Sequence, residues 1–72
     1  MEEFVLTTPY ITLGQLLKHI GLIDTGGQAK WFLRETDVRV NGKAEIRRGR
    51  KLVAGDIVTV AGREKVTIVQ QP

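Results

Sequence analysis

Residues Val38–Ile46 read VRVNGKAEI, and this stretch decides the fold class. Val38 and Val40 alternate with Arg39, the two-residue period of a half-buried strand. Asn41-Gly42 follows at once. Both residues tolerate positive φ, so the pair is a strong signal for a type I′ hairpin turn. Downstream, Gly55-Asp56 marks a second turn ahead of IVTV, Ile57–Val60, and Ala61-Gly62-Arg63 closes another hairpin onto KVTIV, Lys65–Val69. The C-terminal half is therefore read as short antiparallel strands.

Working back from Val38, the period becomes helical. Leu13, Leu16, Leu17 and Ile20 fall at i, i+3, i+4 and i+7, one apolar face. Thr12 and Gln15 have capping-box spacing, and Ile11 and Leu16 occupy the positions of a hydrophobic staple. Gly21 can take the left-handed conformation that closes a helix. A helix from Leu13 to about Ile20 follows. Thr25 and Gln28 repeat the cap spacing ahead of Ala29, Phe32 and Leu33, which predicts a second helix. Glu3–Thr7 is a short β-prone run, ended at Pro9, that is expected to join the sheet. The expected architecture is α+β: two short antiparallel helices packed on a small, mainly antiparallel sheet. No repeat, linker or second domain is visible, so residues 1–72 are read as one domain.

Composition narrows the function classes. The 72 residues include no cysteine and one histidine, His19, which leaves no basis for a disulfide framework or a metal site of cysteines or several histidines. No cofactor is indicated. No apolar run approaches the ~20 residues of a membrane span, and the acidic start MEEFVLTTPY lacks secretory-signal form. A cytoplasmic protein that engages no membrane is expected. The size leaves little room for a deep cleft, and no nucleophile–base–orienter trio can be assembled. The reading is a non-catalytic module without a small-molecule substrate.

The net charge of +3 is unevenly placed. Arg39, Lys43, Arg47, Arg48, Arg50 and Lys51 face one acid, Glu45, giving +5 within 39–51 and −2 over the remainder. Such concentration suits a polyanion surface.

Asp24–Leu33, DTGGQAKWFL, contains Gly26-Gly27-Gln28, the tripeptide of peptide release factors. It admits three readings: a catalytic loop, an anion cradle, or the start of a helix. The catalytic role needs the tripeptide on a projecting loop, whereas here it lies between two short helices. Gln28 has a capping job available, and Gly26 and Gly27 fall in a first turn whose amides lack intrahelical partners. These amides carry partial positive charge with Lys30 one turn on, and RNA phosphate is the better candidate anion. No Gly-Lys-Ser/Thr ending is present, so this is not a nucleotide-hydrolysing loop.

The leucine-rich helix, the second helix with Ala29, Phe32 and Leu33, then Val38-x-Val40-Asn41-Gly42-Lys43 and Gly55-Asp56-x-Val58 together resemble the S-four RNA-binding domain, named for small-subunit ribosomal protein four. The resemblance covers about Ile11 to Val60. It implies an RNA surface made by the two helices and the following hairpin, with contacts at Gln28, Lys30, Arg34, Lys43, Arg47, Arg48, Arg50 and Lys51. Many members carry Arg-Leu-Asp where this chain has Thr12-Leu13-Gly14, and Ser-Arg where it has Gly26-Gly27. Both departures remove arginines and move recognition toward the Gly26 and Gly27 amides and Lys30. The implied partner is structured RNA, ribosomal or transfer, with the ribosome or its precursor as the particle and assembly or translation as the role.

Trp31 points away from Ala29, Phe32 and Leu33 on a helical wheel and could stack on an unpaired base. The favoured expectation is nevertheless that it packs against the first strand or the last hairpin. Phe4, Tyr10 and Phe32 are read as core or core-edge residues, His19 as a surface histidine, Asp56 as turn chemistry, and Arg39 as facing away from the core. The alternative function is a protein-interaction module using a sheet edge and its basic patch. Sulfur-carrier chemistry is not expected, because Gln70-Gln71-Pro72 lacks the Gly-Gly of that class. The RNA reading requires the glycine-started helix and the arginine-rich segment to lie side by side, and the Arg47 and Arg48 pair to be replaceable by glutamate without loss of fold.

Overall fold

A computed structural model describes residues 2–72; Met1, part of the expected 1–72 unit, lies outside the described residues. The elements are β1 (Glu2–Leu6), β2 (Ile11–Thr12), α1 (Leu13–His19), α2 (Gly26–Glu35), β3 (Val38–Val40), β4 (Lys43–Ala44), β5 (Lys51–Leu52), β6 (Ile57–Val60) and β7 (Glu64–Gln70). Five strands form one sheet in the order β1-β7-β6-β3-β4, and β2 pairs with β5 in a separate two-stranded piece. All neighbours in the main sheet are antiparallel except β1 and β7, which run parallel with Glu2 opposite Val66 and Leu6 opposite Gln70. The expected α+β architecture is present. The β2–β5 pairing had no sequence signal, because two-residue strands are too short to show a period.

One sheet face supplies Leu6, Val38, Val40, Val58, Val60, Val66 and Ile68 to the core, and the helices cover it with Leu13, Leu16, Leu17, Ala29 and Leu33. The alternation that predicted β3 is literal: Val38 and Val40 are buried and Arg39 is exposed. Arg39 pairs with Asp37 at 3.2 Å.

Helix α1 starts and stops as its sequence dictates. The Thr12 hydroxyl accepts from the Gln15 amide at 3.3 Å, and the Gln15 side chain accepts from the Thr12 amide at 3.0 Å. The helix ends at His19, one residue before the expected Ile20, which is the cap. Gly21 follows at φ +83, the Gly21 amide bonds Lys18 O at 3.1 Å and the Leu22 amide bonds Leu17 O at 3.0 Å. This doubled closure needs a left-handed residue at Gly21.

The Asn41-Gly42 turn has both φ values positive, +54 and +82, as type I′ requires. Asn41 also joins two turns. Its Nδ2 donates to Asp56 Oδ1 at 3.0 Å, and its Oδ1 accepts from the Ile57 amide at 2.9 Å. Asp56 in turn accepts from the Val53 amide at 2.9 Å, which is turn chemistry. The first strand is Glu2–Leu6 rather than Glu3–Thr7. Tyr10, expected at the core edge, is exposed, because β2 turns the chain inward only from Ile11.

Candidate nucleic-acid interface

Helix α2 begins on the Gly-Gly-Gln tripeptide. Gln28 Oε1 accepts from the Thr25 amide at 3.1 Å and the Asp24 amide at 2.5 Å, so this carbonyl is committed to the helix start. The tripeptide forms a first turn and not a projecting loop. Gly26 and Gly27 are exposed, and among the described residues no protein acceptor takes their amides. A Cβ at Gly26 would meet nothing within 4 Å, and one at Gly27 would meet only Thr25 Oγ1 at 3.8 Å. The amides at this end are open to an anion.

The start of α1 is closed by contrast. The Leu13 amide donates to Arg50 O at 2.8 Å and the Gly14 amide to Arg48 O at 2.8 Å. The segment from Glu45 to Lys51 therefore lies across the N-terminal end of α1, held at its far end by the pairing of Lys51 with Thr12. Gly14 permits the approach: a Cβ there would stand 3.3 Å from both Arg48 Cβ and Arg48 O. From this seat Arg48 reaches the second helix, where its Nη1 donates to Gly26 O at 3.2 Å.

Glu45 organises the same segment from below. It is 8% exposed. Its carboxylate accepts from Arg47 Nε at 3.0 Å, Arg47 Nη2 at 3.1 Å, the Arg47 amide at 3.1 Å and Arg50 Nη1 at 3.0 Å. The Arg47 guanidinium hydrogen bonds dominate and, with the Arg47 amide and Arg50, outweigh burial, which acts oppositely; together they lower the Glu45 pKa to about 2. The same contact raises the pKa of Arg47 above its ordinary value.

The sequence-predicted residues thus fall into groups. Gly26, Gly27 and Arg48 are brought together, and Gly26, Lys30 and Arg34, four apart on α2, share one line along it. Arg47 and Arg50 border this face but are partly neutralised by Glu45. Lys51 sits over the Tyr10 ring, 4.9 Å from its centroid. Lys43, on the edge strand β4, makes no hydrogen bond or ion pair with the others. The expectation that Trp31 packs against the first strand or last hairpin is not met. It is 60% exposed, because Ala29 and Leu33 take the core-facing side of α2, and the Arg34 guanidinium lies over its ring at 5.7 Å. The double glutamate replacement at Arg47 and Arg48 loses its premise of an intact fold, since it would set a second carboxylate against buried Glu45.

Three participants were missed in the sequence. Glu45 was counted only as a charge, although an acid two and five residues before arginines can fold a loop back on itself. Gly14 was read only as a departure from a family pattern. Ile46, between Glu45 and Arg47, is 68% exposed within the basic segment, with no signal for this in its residue type.

Among the described residues, no helix is long and apolar enough to cross a membrane, and no group of three or more His, Cys, Asp or Glu could hold a metal ion.

Comparison with known proteins gives concordant matches. The chain is 53% identical over 57 residues to RlbA of Bacillus subtilis, provisionally named for ribosome maturation, with 79% of this chain and 80% of that one covered. It is 43% identical over 54 residues to YbcJ of Escherichia coli, provisionally named for RNA binding, covering 75% and 77%. The solution structure of YbcJ, described as revealing an alfaL motif involved in RNA binding, superposes with a TM-score of 0.68 at 40% identity, over 96% of this chain and 87% of that one. The family model described as the S4 domain matches residues 4–69. With that span, that identity and the same two helices on a mainly antiparallel sheet, this chain belongs to the S4 domain family.

Proposed function

We propose that this protein is a non-catalytic RNA-binding module that docks on structured RNA of the ribosome or its precursor and serves ribosome maturation. The observation that carries this reading is the hydrogen bond from Arg48 Nη1 to Gly26 O at 3.2 Å. It joins the basic segment to the open start of α2, so the Gly26 and Gly27 amides, Lys30, Arg34 and Arg48 act on one polyanion. Trp31 stands at the border of that face, where an unpaired base could stack. Arg47, Arg50, Lys51 and Lys43 add charge around it. The names of RlbA and YbcJ support the choice of RNA and of ribosome maturation.

The sheet-edge alternative is weaker. The outer edge of β1 is open, but Glu2 and Glu3 stand on it, and charged residues on an edge strand discourage strand addition.

If about four phosphates are neutralised, log affinity for ribosomal RNA falls with log salt at a slope near −3 to −4. The probe is small-subunit and large-subunit ribosomal RNA in a filter-binding titration. An affinity indifferent to salt removes the proposal.

A further inference from the structure

We propose that the groove beside Trp31 is a guanine-selective subsite for one unpaired nucleotide of the bound RNA, an inference that rests on the RNA-binding reading above. The groove, about 490 Å³, runs along the flank of α2 away from Arg48 and is lined by Leu22, Asp24, Gln28, Trp31, Phe32 and Glu35. Its chemistry is unlike that of the cationic line. Leu22 and Phe32 provide a half-buried apolar floor, Trp31 an exposed aromatic wall, and Asp24 and Glu35 a rim of carboxylates.

Helical spacing sets these two surfaces next to each other. Gln28, Trp31 and Glu35 stand at i, i+3 and i+7, while Lys30 and Arg34 lie on the adjoining line that leads to Gly26 and Arg48. A nucleotide whose phosphate rests on Lys30 and Arg34 therefore carries its base over the indole and toward Glu35. The carboxylate rim repels phosphate, so the base and not the backbone enters.

The polar groups then select among bases. A carboxylate is an acceptor only. Guanine alone offers two adjacent donors, N1–H and the 2-amino group, on its Watson–Crick edge, followed by an acceptor, O6. Glu35 can accept the two donors in parallel. Gln28, two helical turns from Glu35 and with its Oε1 committed to the Asp24 and Thr25 amides, closes the far end of the groove and leaves Glu35 to read the base. Adenine and cytosine offer one amino donor beside an acceptor, and uracil one imide donor between acceptors. An arginine-bearing peptide would match the carboxylates, but its charge would approach Trp31 against the like charges of Lys30 and of Arg34, whose guanidinium lies 5.7 Å from the ring centroid.

Trp31 is the sole tryptophan of the chain, so its fluorescence reports the subsite directly. Quenching is titrated with GMP, IMP, AMP, CMP, UMP and an arginine-containing tetrapeptide. GMP is expected to act at a concentration at least about fivefold below AMP, CMP and UMP, with IMP, which lacks the 2-amino donor, between them. Glu35→Gln, checked for fold by circular dichroism, is expected to close the gap between GMP and AMP. Equal quenching by all nucleotides, no quenching by any, or stronger quenching by the peptide overturns the assignment. These titrations contain no large RNA, so they fail or succeed independently of the salt slope that tests the cationic face.

Discussion

Glu45 accepts four hydrogen bonds from Arg47 and Arg50, and its carboxyl is held near pKa 2, well below the ordinary value of 4.5. A carboxyl whose folded pKa is lowered stabilises the fold above its unfolded pKa and loses that contribution as pH falls toward the folded value. Wild-type stability should therefore decline between about pH 4.5 and pH 2 through this residue. Glu45→Gln should cost roughly 1.5–3 kcal/mol at neutral pH, the range for hydrogen bonds to a charged group, and should lack this part of the acid decline. Urea denaturation across that pH range reads both effects. At Gly14 two effects oppose each other. Alanine favours a helix over glycine by roughly 1 kcal/mol, yet its Cβ would press on Arg48 O at 3.3 Å, the oxygen that accepts the Gly14 amide. That oxygen cannot recede without stretching the bond, so Gly14→Ala is expected to destabilise by about 1–2 kcal/mol. A variant more stable than wild type in urea would show the basic segment to be less tightly seated.

At the scale of elements, the two helix starts differ although their sequences share Thr-x-x-Gln. Thr12 and Gln15 close α1, and the Arg48 and Arg50 carbonyls cover its next amides. Gln28 accepts from the Thr25 amide at the start of α2, but the Thr25 hydroxyl returns no bond, and among the described residues no backbone carbonyl covers the Gly26 and Gly27 amides. Gln28→Ala should thus cost about 1 kcal/mol as a lost cap. Peptidyl-tRNA hydrolysis assays on the wild type should show no activity for that change to remove. The β3–β4 turn is similarly legible in part. Asn41-Gly42 announced a hairpin, but not that the Asn41 side chain would fasten the turn before β6. Asn41→Ala removes the Asp56 and Ile57 contacts and leaves alanine at φ +54. A loss of about 2 kcal/mol by thermal or urea denaturation is expected; a smaller loss than Gly42→Ala would show that the tether matters less than the turn geometry.

For the whole molecule, the question is whether one face collects the charge. Lys30 and Arg48 come from segments 18 residues apart, and the Arg48–Gly26 bond places them on one side of α2. Both side chains are exposed, and among the described residues neither forms an ion pair. Lys30→Glu combined with Arg48→Glu should reduce ribosomal RNA affinity by at least ~100-fold at low salt and flatten the salt slope by about 2. The far-ultraviolet circular dichroism should be unchanged. Retained affinity in this variant would mean that the RNA docks elsewhere.

Local physics made much of this legible from the residue string. The leucine spacing of α1, the left-handed closure at Gly21, the valine alternation of β3 and the Asn-Gly turn are each settled within a few residues of chain. So was the choice of cap over catalytic loop for Gln28, because both partners of that contact lie within four residues. Tertiary structure decided what depended on approach from a distance: the parallel docking of β1 on β7, the closing of α1 by the basic segment, the reach of Arg48 to Gly26 O, and the exposure of Trp31. Helical phase gave a direction for Trp31, but whether another element would cover that side depended on where the sheet and loops came to rest. Backbone preferences and side-chain period act between near neighbours in the chain, whereas burial and the hydrogen bonds between elements depend on which distant segments the closed core brings within a few ångströms.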